Sequence, residues 1–225
     1  MKKKYIFIQL LAVLLLLVLP TFTAESSSSF NILFSFSFYS AIQLFMALIL
    51  DGEFRIFLKD NNSLPFENTF SLIVNHLKWG GITLGLLMLT YALMTALAIF
   101  LPASFSQSSQ STALTVPGLK GILFLIMNVM AASYYEEVIY RQLLPQSFYL
   151  LSENKAFRLS GEIFTLIVFA LGHFYLGFIA VINAFICGIF LRLCRIKTRS
   201  VSTGAAAHFI YNFTLFSFMI LMSLN

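Results

Sequence analysis

In this chain of 225 residues, 59% of side chains are hydrophobic and only 10% are charged, and the mean hydropathy is +0.89. A soluble globule is excluded, since soluble domains carry about 25% charged residues. The formal charge of +5 and the pI near 9.3 read as a topology signal of a membrane protein and not as affinity for nucleic acid, so the lipid bilayer is the expected environment and no nucleic-acid partner is expected.

At roughly 20 residues per span, the length predicts an all-α, polytopic bundle forming one integral domain over residues 1–225. Met1–Pro20 joins three lysines to an apolar run, as either a signal peptide or a first span would. Cleavage after Ala24 would place bulky Phe22 third before the cut, where a small residue is wanted, so an uncleaved span is expected. Residues 21–29 read as a polar loop and Phe30–Leu50 as a second span. Asp51–Asn68 has mixed charge and Pro65, which predicts an aqueous loop with a short interfacial helix around Glu53–Leu58. A third apolar segment, Phe70–Leu101, starts with His76, Lys78 and Trp79, a pattern of the membrane interface ahead of a span beginning near Gly80.

Pro102–Pro117 is rich in Ser, Gln and Thr and reads as a loop. Gly118 opens a fourth span that runs through Glu136 and Glu137 and is expected to end near Pro145; Ser152–Ser160 reads as a charged loop. A fifth span covers Gly161–His173, a sixth Gly177–Leu191, and a seventh Val201–Leu224, with a basic turn at residues 192–200. Alternating these seven spans from a cytoplasmic amino terminus puts Lys2, Lys3, Lys4, Arg55, Lys59, Lys78, Lys155, Arg158, Arg192, Arg195, Lys197 and Arg199 on the cytoplasmic side. Lys120 alone falls outside, and Arg141 is intramembrane. Cys187 and Cys194 lack metal or disulfide spacing and read as small apolar residues. The 26 Phe and 9 Tyr read as packing and lipid-facing material.

Ionisable groups at membrane depth are functional candidates by default. On one helix Glu137 and Arg141, four residues apart in the acid-before-base order, can pair. Glu136 points about 100° away and is left for another task. His173 shares a helical face with Phe169, and His208 with Asn212, each by a four-residue step. At about 1.5 Å per residue, His208 lies about 12 Å and His173 about 18 Å in from the cytoplasmic side, and Glu136 about 8 Å, so the three groups can meet in the cytoplasmic half.

Together they are the parts of a hydrolase. Glu136 can take a proton from water, His173 can orient that water, and His208 and Asn212 can donate to the oxyanion formed when a carbonyl is attacked. A single membrane histidine or asparagine otherwise serves as hydrogen-bond glue between helices, and Asn183 stays open between packing and lining the cavity. Zinc held by Glu136, His173 and His208 is the alternative chemistry. It lacks an HExxH step and would make a ligand of the obvious base, so no cofactor is expected.

The segments EEVIYR at 136–141, FALGH at 169–173 and HFIYN at 208–212 resemble the EExxxR, FxxxH and HxxxN motifs of the CAAX prenyl protease and bacteriocin-processing family, the Abi family of intramembrane endopeptidases. The resemblance covers about residues 118–222, a catalytic helical core, and leaves residues 1–117 as variable spans. It implies that Glu136 is the water-activating base, that His173 assists it, and that His208 and Asn212 bind the oxyanion. Glu137 and Arg141 would hold the helix and base in place.

The expected activity is an intramembrane endopeptidase acting on a membrane-tethered protein or peptide. The short loops and lysine-rich start suggest a bacterial inner membrane, which weighs against a prenylated substrate. A non-catalytic immunity or regulatory protein that keeps the fold is the alternative, and a proton-relaying transporter a third, although the chain lacks the internal repeat such transporters show.

Overall fold

Backbone amides in hydrocarbon must find their partners within their own segment, and a chain this apolar answers with helices. The computed structural model describes residues 3–18, 38–61, 69–101 and 118–223, and every regular element among them is a helix. The expected polar loops at 21–29 and 102–117, and the possible cleavage site at Ala24, lie outside the described residues.

The first helix, α1, covers Lys3–Val13 and passes into a π-helical turn, Leu14–Val18. Helix α2 runs Phe38–Asn61 and α3 Thr69–Phe100. Helix α4, Leu119–Glu136, continues without a break through a π-helical segment, Glu137–Leu143, into α5, Leu144–Leu151. Then come α6, Lys155–Leu171, a 3-10 turn at Phe174–Leu176, α7, Phe178–Thr198, and α8, Val201–Ser223.

Four stretches are long and apolar enough to cross a membrane: Phe70–Phe100, Leu119–Leu151, Phe178–Thr198 and Val201–Leu221. The described parts of the first two expected spans are shorter apolar helices, Lys4–Val13 and Ser40–Gly52, and α6 has 17 residues. The chain is a helical membrane bundle. Its centre is the α4–π–α5 stretch, the most buried of the four. Tyr135, Val138, Ile139 and Leu144 of that stretch join Leu10 and Val13 of α1, Ala47 of α2, Phe169 of α6, Ala184 of α7 and Val201 of α8 in one core.

Four boundaries differ from expectation, and in each a polar group has found a partner within the fold. Asp51 is no loop residue: it lies buried inside α2, where it accepts hydrogen bonds from Tyr134 Oη at 2.8 Å and Gln142 Nε2 at 3.0 Å. The loop expected at Asp51–Asn68 is therefore helical to Asn61, and residues 62–68 lie outside the described part. Pro145 does not end the fourth span: the helix runs on through it into α5, and the Arg141 carbonyl, which its missing N–H would have met, accepts from Arg192 on α7.

The loop at 152–160 shrinks to Ser152–Asn154. Asn154 caps α6 by accepting from the N–H groups of Ala156 and Phe157, as N-cap asparagines do. Likewise α7 continues through most of the basic turn to Thr198 and stops at Arg199 in a left-handed conformation, φ 54°. Arg192 and Arg195 are thus half-buried helical residues with partners in the bundle.

Candidate active site

The two adjacent glutamates sit where the helix changes register: Glu136 ends α4 and Glu137 begins the π segment. Such wide turns occur preferentially at functional sites. The burial of the two carboxylates differs sharply. Glu137 is 1% exposed and Glu136 27%.

Glu137 is surrounded by cations and donors. Its Oε1 lies 3.4 Å from Arg141 Nε and 3.1 Å from His208 Nδ1, a distance at which Nδ1–H donates to an ionised carboxylate. Its Oε2 has no hydrogen-bond partner and lies against α8 at Gly204, where a Cβ would stand 3.0 Å from that oxygen. Gly204 was missed in the sequence, although its place one turn before His208 on the same face was a usable signal. Gly204→Ala should push the carboxylate off Arg141 and His208 and cost about 1–3 kcal/mol, the usual penalty of overpacking. The check is a fall in Tm in detergent; an unchanged Tm would mean that the site has room to spare.

Arg141 is also 1% exposed. Its guanidinium carbon lies 3.7 Å from the centroid of the Phe169 ring, while its nitrogens make no hydrogen bond among the described residues. The charge is therefore balanced by an ion pair and by a π face. The sequence places Phe169 beside His173; the structure makes it the hub of the site. Its ring also contacts Tyr140 at 5.2 Å, His173 at 4.9 Å and His208 at 6.4 Å, all edge-on. Gly188 on α7 keeps room for it, since a Cβ there would press to 3.3 Å of the ring.

His208 Nε2 faces the second glutamate, 3.7 Å from Glu136 Oε2, an ion-pair distance just past a direct hydrogen bond. Both ring nitrogens thus face carboxylates, whereas the sequence reading paired His208 with Asn212 around an oxyanion. Asn212, one turn further along α8, is half-buried and makes no side-chain hydrogen bond among the described residues. His173 stands just past the end of α6 and donates from Nδ1 to the Phe169 carbonyl at 3.0 Å, which leaves Nε2 as its open nitrogen. It is within electrostatic range of Glu136, His208 and Arg141.

Asn183 belongs to a neighbouring cluster, where it donates to Tyr211 Oη at 3.0 Å, and Tyr211 packs edge-on to Tyr91. Glu136, His173 and His208 are not gathered as a metal-ligand set: among the described residues no group of three His, Cys, Asp or Glu is placed to hold an ion. The arrangement has one buried, charge-balanced glutamate, one accessible glutamate facing a histidine, and a second histidine nearby. It can therefore move a proton to and from a small molecule that reaches Glu136.

Residues 118–214 match the family model described as type II CAAX prenyl endopeptidase Rce1-like. That span contains all three motifs and supports the family resemblance, and with it a peptidase function at the level of the family. No curated protein and no solved structure matches the chain.

Proposed function

We propose that this membrane protein is an intramembrane endopeptidase of the CAAX-protease kind, hydrolysing a peptide bond of a membrane-tethered protein or peptide with water activated by Glu136. The observation that carries this reading is the division of labour between adjacent carboxylates. Arg141 and His208 hold Glu137 in the core, while the Glu136 side chain is 27% exposed and its Oε2, buried within the site, has no hydrogen-bond partner.

Glu136 takes a proton from water as its oxygen attacks the scissile carbonyl. Facing it across 3.7 Å, His208 Nε2 can accept that proton and return it, and the proton leaves on the departing amine. His173 Nε2 orients the water, since Nδ1 is already committed to the Phe169 carbonyl. Asn212, with an amide free among the described residues, donates to the oxyanion, with His208 beside it when protonated. Residues 118–222 form the catalytic core. The charge pattern of the loops supports a site toward the cytoplasmic half, and the short loops and lysine-rich start support a bacterial inner membrane.

The test is purified protein in nanodiscs with a library of membrane-tethered peptides, prenylated and unprenylated, and products read by mass spectrometry. No cleavage of any tethered peptide would overturn the reading. The mechanism is metal-free, because a base that must take a proton from water is poorly used as a ligand. Cleavage should therefore persist after chelation with EDTA or phenanthroline. Loss on chelation, recovery with stoichiometric zinc and one metal ion per chain by elemental analysis would replace it with a metalloprotease mechanism.

A further inference from the structure

In a regular helix the carbonyl of Arg141 would accept from the N–H of residue 145, which is proline and has none. The N–H of Leu144 is spent five residues back, on the carbonyl of Ile139. The Arg141 carbonyl instead accepts from Arg192 Nη1 on α7 at 2.7 Å. Arg192 is itself fixed from behind by Glu162 of α6 in a two-point contact, Nε to Oε2 at 2.7 Å and Nη2 to Oε1. Both side chains are more than four-fifths buried, so the pair is neither loose nor surface decoration.

The next residue is gripped as well: Arg195 Nη2 donates to Gln142 Oε1 at 3.0 Å, and Gln142 Nε2 donates to Asp51. Two arginines three apart on α7 therefore hold two consecutive residues of the π segment, one turn after the glutamates.

Resting on the peptidase reading above, we propose that Arg192, anchored by Glu162, is a positioning residue of this site. It supplies the donor that Pro145 withholds and so keeps the π register. That register sets the Arg141 guanidinium between Glu137 and the Phe169 ring and leaves Glu136 at the accessible end of the pair. Arg192 acts only through the backbone of Arg141; it touches neither the carboxylates nor the reacting atoms. Without it the Arg141 carbonyl loses the cross-helix donor that ties it to α7, and the turn relaxes toward other registers.

The experiment compares wild type, Arg192→Met and Arg192→Lys in nanodiscs by hydrogen exchange and by turnover of a quenched fluorescent peptide tethered by a prenyl or acyl chain. Arg192→Met should speed exchange across residues 137–151 by about tenfold while α8 stays unchanged. It should lower kcat by about tenfold or more with KM within about twofold. Arg192→Lys, which keeps a donor for the carbonyl, should recover most of both. Glu162→Gln, which leaves the guanidinium in place with one charge fewer behind it, should give the same local pattern at about threefold, and decides the matter if Arg192→Met does not fold.

Unchanged exchange at 137–151, or a rise equal in every helix, would overturn the proposal. So would a lysine variant no better than methionine. If wild type cleaves neither tethered peptide, the activity assignment fails while the exchange arm still decides whether Arg192 sets the turn.

Discussion

Glu136→Gln should reduce cleavage of a membrane-tethered peptide by about 10²- to 10⁴-fold, the usual contribution of a general base, with Tm in detergent unchanged. Glutamine keeps the volume and one carbonyl acceptor but cannot take the water's proton. The fold makes little use of this carboxylate: the side chain is 27% exposed, its buried Oε2 makes no hydrogen bond, and His208 Nε2 is 3.7 Å away. His173→Ala should give a similar loss by removing the group that orients the water. Turnover by Glu136→Gln near the wild-type rate would remove Glu136 from the role of base, and Glu137→Gln would then be the variant to measure.

Arg141→Ala should cost about 3–5 kcal/mol of stability, because it leaves Glu137 as a buried charge without its cation. Glu137 is 1% exposed, so water cannot take over from the guanidinium. The same substitution removes the cation from the Phe169 ring at 3.7 Å and opens a hole in the most buried stretch of the bundle. Among the described residues His208 then remains as the side-chain donor to Glu137, at 3.1 Å, and would be drawn toward it and away from Glu136. Stability and turnover should therefore fall together, unlike the result for Glu136→Gln. A melting curve that does not move would show that Arg141 is dispensable to the fold and that Glu137 is held chiefly from α8.

The helical membrane class was legible because it rests on composition alone: a chain with 10% charged residues has no other way to satisfy its backbone. Pairings within one helix were legible for the same local reason. The four-residue steps from Glu137 to Arg141 and from Phe169 to His173 are geometry a sequence contains, and both appear as contacts, at 3.4 Å and 4.9 Å.

What failed to show was every feature that depends on which helix lies beside which. Asp51 looked like a loop residue because its partners, Tyr134 and Gln142, are more than 80 positions away. Arg192 looked like a cytoplasmic turn because Glu162 pairs with it from another helix. Pro145 looked like a helix end because the donor replacing its missing N–H comes from α7.

By itself, then, the sequence determined the class of the fold, the three motif segments and the periodicity that groups residues along each helix. Only the tertiary structure decided that Phe169 lies beneath Arg141, that Gly204 leaves room for Glu137, and that both nitrogens of His208 face the glutamates. The physical reason is that a buried polar group is tolerated wherever a partner meets it, and in a bundle that partner is supplied by packing between helices, which no local pattern encodes.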